Sequence, residues 1–325
     1  MSTNGHDHAA TPPLISVALA TYNGARHLDA QLASVRAQSW PSLEIVAVDD
    51  ASSDATWALL QRTAQDDPRL RIERNARNQG SAATFERAML LCRGAYIAPC
   101  DQDDLWHADK LQKLFDAIGA HTLAYADSAL IDEHGAPLGL RLSDRFGMAQ
   151  GSDPLAFAFW NSVSGHAMLF RRELLAAALP FRGSRFHDWW LAFVAASIGS
   201  IIYLPQPLVD YRQHAHTQTD LAGRRRTQRS IDKVAAKYAE RERWLAELAR
   251  FASPHQPQFQ RMHALWAERG SAWFCPAWWR FLRAHAQRLM VINQREPFGR
   301  FAAKQFFGMR WRLRGASAAG AALRH

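Results

Sequence analysis

Apolar residues in this chain fall into short continuous runs separated by amphipathic stretches. Leu14-Ile15-Ser16-Val17-Ala18-Leu19-Ala20 is one such run, and it stops at Thr21-Tyr22-Asn23-Gly24, a turn signature. Residues 26–38 then place Leu28, Leu32 and Val35 at helical spacing. A second run, residues 43–48, ends in Asp49-Asp50, after which Ser52, Ser53 and Asp54 offer an N-cap to a helix carrying Trp57, Leu59 and Leu60. Strands are predicted again at 69–73 and 96–99, with a helix at 81–91 between them. This alternation predicts an α/β fold: a mostly parallel sheet with helices on both faces. Further on, 122–126 and 167–170 predict strands and 132–135 a turn. Residues 189–204 predict a buried helix followed by a strand, and 201–204 and 208–211 two closing strands.

In such a sheet the loops after successive strands gather along one edge, where ligands bind. They carry Thr21-Tyr22-Asn23, Asp49-Asp50, Asn78-Gln79-Gly80 and Asp101-Gln102-Asp103-Asp104. Three carboxylates in four positions repel one another, and a divalent cation held by hard oxygen ligands relieves that repulsion. The alternative is an acidic turn capping the helix that starts near Ala108. A flat aromatic, an acid able to accept from a base or ribose, a glycine for close approach and a metal-binding acid suit a nucleoside diphosphate. Neither a P-loop nor a dinucleotide fingerprint is present, which leaves the diphosphate to a metal.

Composition sharpens this picture at three points. The 325 residues allow one large α/β domain with an appendage, and 48% hydrophobic content supports a sizeable core. The net charge of +9 is unevenly placed: residues 221–325 hold 21 Lys and Arg against 6 Asp and Glu, and the remainder is acidic. That asymmetry points the last third toward an anionic partner. Three cysteines, Cys92, Cys100 and Cys275, lack C-x-x-C spacing, so neither a disulfide framework nor a zinc site is indicated and a reducing, cytoplasmic setting fits. Residues 1–13 are polar and predict a disordered tail without a signal peptide; His6 and His8 belong to it. The uncharged run after Trp189 is shorter than the ~20 residues a membrane span needs.

The ordered blocks Val17 to Asn23, Val48 to Asp54, Asn78-Gln79-Gly80 and Asp101-Gln102-Asp103-Asp104 resemble those of family 2 glycosyltransferases with the GT-A fold. The Asp-Gln-Asp-Asp-x-Trp form, with His187-Asp188-Trp189-Trp190 and Tyr211-Arg212-Gln213-His214, is similar to the rhamnosyltransferase-like branch of that family. The resemblance covers roughly residues 14–215. It implies that Ala20, Tyr22 and Asp50 border the nucleotide base, with Asn78 and Gly80 beside them. It also implies an Asp-x-Asp element, with Asp103 as the direct ligand of Mg²⁺ or Mn²⁺ and Asp101 nearer the ribose. An inverting transfer needs a base within reach of the acceptor hydroxyl. The family places that base at a helix start, often as the second acid of a Glu-Asp pair; here the pair is His187-Asp188. That departure leaves Asp188 as the expected base, with His187 orienting it, binding acceptor or sharing the proton. On the acceptor or diphosphate side the resemblance adds His166, Arg212 and His214. For His166 a satisfied, partly buried histidine stands as the alternative.

From residue 221 the pattern becomes helical and basic, with six of the twelve tryptophans between Trp244 and Trp311. Two readings stand for this region: a segment lying peripherally at an anionic membrane surface, and a helical appendage packed on the catalytic domain. No nucleic-acid fold accompanies the interleaved Trp and Arg, so no nucleic-acid partner is expected. The expected organisation is a tail (1–13), a GT-A catalytic domain (14–220) and a basic helical region (221–325). The expected activity is an inverting, metal-dependent, non-processive transfer from a nucleotide-sugar donor to a growing surface glycan or lipid-linked saccharide. The absence of a Gln-x-x-Arg-Trp segment and of spanning helices argues against a processive synthase. dTDP-rhamnose is the favoured donor; another UDP, GDP or dTDP sugar, or a non-catalytic nucleotide-binding or membrane-interaction protein on the same fold, are the alternatives.

Overall fold

The computed structural model describes residues 11–181, 186–213 and 231–309. The first half alternates as expected: β1 (Ile15–Thr21), α1 (Ala25–Arg36), β2 (Leu43–Asp49), α2 (Thr56–Asp66), β3 (Leu70–Arg74), α3 (Ser81–Leu91) and β4 (Tyr96–Cys100). A two-residue strand, β5 (Leu105–Trp106), precedes α4 (Lys110–Ile118), and β6 (Leu123–Ile131) turns through residues 132–136 into β7 (Pro137–Arg141). Then come β8 (Met168–Arg171), α5 (Glu173–Ala178), α6 (His187–Ile198) and β9 (Ile201–Arg212). The nine strands form one sheet ordered β3-β2-β1-β4-β8-β6-β9-β5, with β7 paired to β6. Six of them, β1 to β4, β6 and β9, run in the same direction.

Two expectations need correction. The strand that begins near Thr122 does not stop at Ala126 but continues to Ile131, because β9 pairs with it in parallel along that length. The two closing strands are one strand, β9; Pro205 and Pro207, which suggest a break, sit where the β6–β9 register shifts after Ala126–Leu204. Proline cannot donate to a ladder, and irregular positions of this kind tolerate it.

Side chains on successive strand residues point to opposite faces. Val17, Leu19, Ile45 and Ala47 join α1, α2 and α4 in one buried cluster, and Ala18, Val46 and Val48 join α3, α5 and α6 in another. Burial on both faces is why these strands read as unbroken apolar runs.

Beyond residue 230 follow α7 (Ile231–Arg250), α8 (Gln256–Ser271), α9 (Pro276–Ala284), α10 (Ala286–Leu289) and α11 (Phe298–Phe306). These helices extend the second cluster. Helix α6 is apolar almost all round because it lies between the sheet and this layer: Trp190 meets Trp244 edge-on at 6.2 Å and Phe193 meets Phe259 at 5.1 Å. Trp244, Trp266 and Trp278 are all buried there, which is the packed-appendage reading for these three; Trp273 and Phe274 remain exposed. Arg288 closes the same contact with a bidentate pair to Asp153 at 2.6 and 2.8 Å. No helix among the described residues is long and apolar enough to cross a membrane.

Candidate active site

The loops at the C-terminal ends of β1 and β2 are sewn to each other. Asn23 N donates to Ser52 Oγ at 2.9 Å, Asn23 Oδ1 accepts from Ser53 N at 2.8 Å, and Gly24 N donates to Thr56 Oγ1 at 2.8 Å. Asn23 and Ala51 adopt positive φ of 46° and 59° to make these contacts. Buried Asp49 accepts from Thr21 Oγ1, Ser52 N and Arg74 Nε, so it anchors the base of both loops. Asp50 does the same for the next loop: its carboxylate accepts from Asn75 Nδ2 at 2.7 Å, Gln79 N at 2.9 Å and Gly80 N at 2.9 Å. Gln102 clamps Tyr22, accepting from its N at 2.8 Å and donating to its O at 3.0 Å, while the Tyr22 ring stands half exposed. Gly24 lacks a side chain for a reason, since a Cβ there would fall 2.1 Å from Gln102 Oε1.

A cleft of about 1000 Å³ opens over these loops. Ala20, Tyr22, Asp50, Asn78, Gly80, Asp101 and Asp103 lie on its wall, as do His166, His187 and Asp188. All ten are positions the sequence singled out. Arg212 is placed differently. It is buried behind the acidic segment, donating from Nε to Asp103 O at 2.8 Å and from a terminal nitrogen to Asp132 O and Glu133 O at 3.2 Å, and it is not part of the cleft wall. These bonds hold the backbone at Asp103, Asp132 and Glu133. His214 lies outside the described residues.

Below the cleft, Asp101, Asp104 and His166 bring one ligand atom each to within 4.8 Å of one another. His166 is buried, with Nδ1 3.6 Å from Asp101 Oδ2 and 3.5 Å from Asp104 Oδ2; its Nε2 pairs with Ser128 Oγ at 3.0 Å. Burial, with the charges of Asp103 and Asp101 added, pushes the Asp104 carboxyl well above the usual carboxylate range. Burial also acts to raise Asp101, but the hydrogen bond and charge of His166 hold it below its ordinary value. Lys110 is fully buried beside the cluster; its Nζ donates to His166 O at 2.6 Å and lies 2.9 Å from the centre of the Trp106 ring. Burial lowers this amine well below the ordinary lysine range.

The start of α6 also lines the cleft. Burial pushes Asp188 up to about 7, although Trp189 N donates to its Oδ1 at 2.6 Å, and Asp101 adds to the rise. Burial lowers His187 to about 4, so its imidazole is neutral near pH 7. The ring stacks on Phe85 at 3.9 Å, and its buried Nε2 has no hydrogen-bond partner among the described residues.

Comparison with known proteins decides the family. The sequence profile of glycosyl transferase family 2 matches residues 16–178, half of the chain. The chain belongs to glycosyl transferase family 2. Among its relatives, TuaG of Bacillus subtilis, named for teichuronic acid biosynthesis, is 32% identical over 155 residues, covering 47% of this chain and 60% of TuaG. The chain spans 60 to 65% of the length of the first curated relatives it matches. Among solved structures, S. aureus TarS 1–349 in complex with UDP-GlcNAc aligns with a TM-score of 0.56 at 16% identity, over 85% of this chain and 81% of that one. The mannosyltransferase PcManGT from Pyrobaculum calidifontis, in complex with GDP-Man and Mn²⁺, aligns at 0.54 and 20% identity over 91% and 80%. The fold is therefore GT-A, with a helical C-terminal region.

A divalent cation is consistent with this family 2 site. Buried Asp104 Oδ2 has no hydrogen-bond partner among the described residues, and two carboxylates with one imidazole form a donor set that suits Mn²⁺ or Mg²⁺. Asp103, expected as the direct ligand, lies on the cleft wall outside this three-residue cluster, which includes Asp104 instead. Sequence reasoning also missed Gln102, Lys110 and the wall residues Lys237 and Arg241. For Gln102 and Asp104 a signal existed, since both sit inside the acidic block. For Lys237 and Arg241 none did, because nothing local to α7 tells which surface it covers.

Proposed function

We propose that this chain transfers a sugar from a nucleotide-diphosphate donor to a saccharide acceptor, inverting the anomeric carbon, with Mg²⁺ or Mn²⁺ at the acid cluster. One observation carries the reading: Asp188 stands at the first turn of α6, raised to about 7, in the same cleft as the nucleotide-side loops and the acid cluster. A carboxylate of that basicity accepts the acceptor hydroxyl proton far better than an ordinary aspartate. The freed oxygen forms its bond to the anomeric carbon while the carbon–oxygen bond to the diphosphate breaks on the opposite face, and the electron pair leaves with the diphosphate. Neutral His187 offers Nε2 to an acceptor hydroxyl, and Trp189 N orients the base. Tyr22, held by Gln102, presents its ring to the base, while Asp50 shapes the loop of Asn78 and Gly80 around the nucleotide. A bound cation at Asp101, Asp104 and His166 would offset charge on the departing diphosphate.

The donor favoured by the form of residues 101–106 is dTDP-rhamnose, and the acceptor a growing surface glycan, lipid-linked, reached from the cytoplasmic side. The name of TuaG supports a cell-surface polysaccharide. A thermal-shift panel of UDP, GDP and dTDP, each with and without Mn²⁺, tests both levels. Ligand at 100 times its Kd stabilises the native state by about 2.7 kcal/mol. The expected outcome is stabilisation by dTDP, enlarged by Mn²⁺. Selective response to another nucleotide would remove rhamnose and keep the transferase; no response to any would remove both.

A further inference from the structure

The wall beyond Asp188 is built from aromatic rings and two cations that the transfer chemistry above does not use. Arg241, on α7, donates to Ala158 O and Phe159 O, both at 3.0 Å. Its guanidinium also lies 5.4 Å from the centre of the Trp189 ring and 5.2 Å from that of Phe159. Lys237 sits one helical turn earlier on the same face and is exposed on the cleft wall. None of the ion pairs among the described residues includes either cation. Two like charges four residues apart on a helix repel. Structural bracing accounts for two of the five guanidinium donors, and the others have no hydrogen-bond partner among the described residues. Burial lowers Arg241 to about 10, with the charge of Glu240 acting the other way.

We propose that α7 completes the acceptor half of the cleft, and that Arg241 and Lys237 bind an anionic group of the acceptor, a phosphate or a sugar carboxylate. Trp160 and Phe146 on the same wall supply apolar faces for the saccharide beside that group. The assignment to acceptor rests on the transferase reading of the cleft. Its geometric support is that, among the described residues, Arg241 bonds or stacks with Ala158, Phe159 and Trp189, the residue after the base, and not with the nucleotide-side loops.

The test uses the full chain saturated with its nucleotide and Mn²⁺, titrated by ligand-observed NMR with methyl β-glucoside, methyl β-glucuronide and glucose 1-phosphate. Wild type is expected to bind at least one anionic sugar roughly tenfold more tightly than the neutral one, the size of a charge-assisted hydrogen bond. Arg241→Met should erase that preference and leave nucleotide affinity unchanged. Lys237→Glu, at an exposed position where the fold is not at risk, should weaken the same sugar. Preference for glucose 1-phosphate assigns the site to a phosphate-linked acceptor, and preference for the glucuronide to an acidic sugar. Equal binding of neutral and anionic sugars, no binding of either anion, or an anion preference unchanged in both variants would overturn the proposal. So would a tenfold loss of nucleotide affinity in Arg241→Met, which would move the guanidinium to the donor diphosphate. Failure of the transferase reading gives a separate signal, absence of nucleotide binding before any sugar is added; the anion preference can still be read in that case.

Discussion

At the scale of a single residue the proposed transfer rests on Asp188, and its environment sets two pH dependences of opposite benefit. A base with a value of about 7 is half ionised there, so turnover should rise as pH increases through 7 and level off above 8. Stability runs the other way. The folded chain keeps a proton on Asp188 that the unfolded chain, with an ordinary value of 3.8, has already released. Its contribution is therefore fully present below 3.8 and is lost as pH rises through about 7. Asp188→Asn should lower kcat by about 10²- to 10⁴-fold with nucleotide affinity kept, as steady-state kinetics and titration would show. At pH 8 the variant should also melt above the parent, and at pH 5 the difference should shrink. Normal turnover would remove Asp188 as the base. The sequence made this residue visible only through its place after His187, because a helix-start aspartate is ordinarily a cap. Asp104 was less visible. Three acids in four positions announce a cluster, but which of them turns inward depends on Arg212 N, which donates to Asp104 Oδ1 at 3.0 Å from 108 positions away.

Between elements, the contact that matters most is the one between the 3-10 turn Gly165–Ala167 and the start of α6. A Cβ on Gly165 would stand 2.9 Å from His187 Nε2 and 3.5 Å from Asp188 Cβ. The His187 ring cannot yield freely, since it stacks on Phe85 at 3.9 Å. Gly165→Ala should therefore push the His187-Asp188 pair out of register and reduce kcat by about tenfold or more, while leaving the nucleotide side intact. Unchanged kcat would mean that the pair's position is not critical. Sequence periodicity located β1 to β4 and α1 to α3, and the turn residues located the loops between them, because β1 and β2 are buried on both faces and the helices on one. It failed where pairing partners decide the outcome. Leu105–Trp106 is too short to show a period and is a strand only because Asp210 and Val209 of β9 face it. The prolines of β9 suggest an end that β6 overrides.

Seen as a whole, the chain does not divide where its composition does. The switch from acidic to basic falls near residue 220, inside a stretch outside the described residues, yet the helices beyond it share a core with the sheet. Helical spacing showed that this region buries a face but not what lies against it, and mixed Trp and Arg would have suited lipid equally. The packing makes a sharp prediction. A chain ending at residue 213 would uncover Trp190 and Phe193, now held against Trp244, Phe251 and Phe259, and would lose Arg241 from the cleft. A contiguous aromatic face of that kind is an aggregation liability in water. The truncated chain should elute from size exclusion as aggregate and melt without a cooperative transition. In the full chain, Trp244→Ala should remove about 3–5 kcal/mol by leaving a cavity between α6 and α7, a drop of roughly 10 °C in Tm. A monomeric, cooperatively melting 1–213 chain that still binds nucleotide would show instead that the helical layer serves the acceptor without supporting the fold.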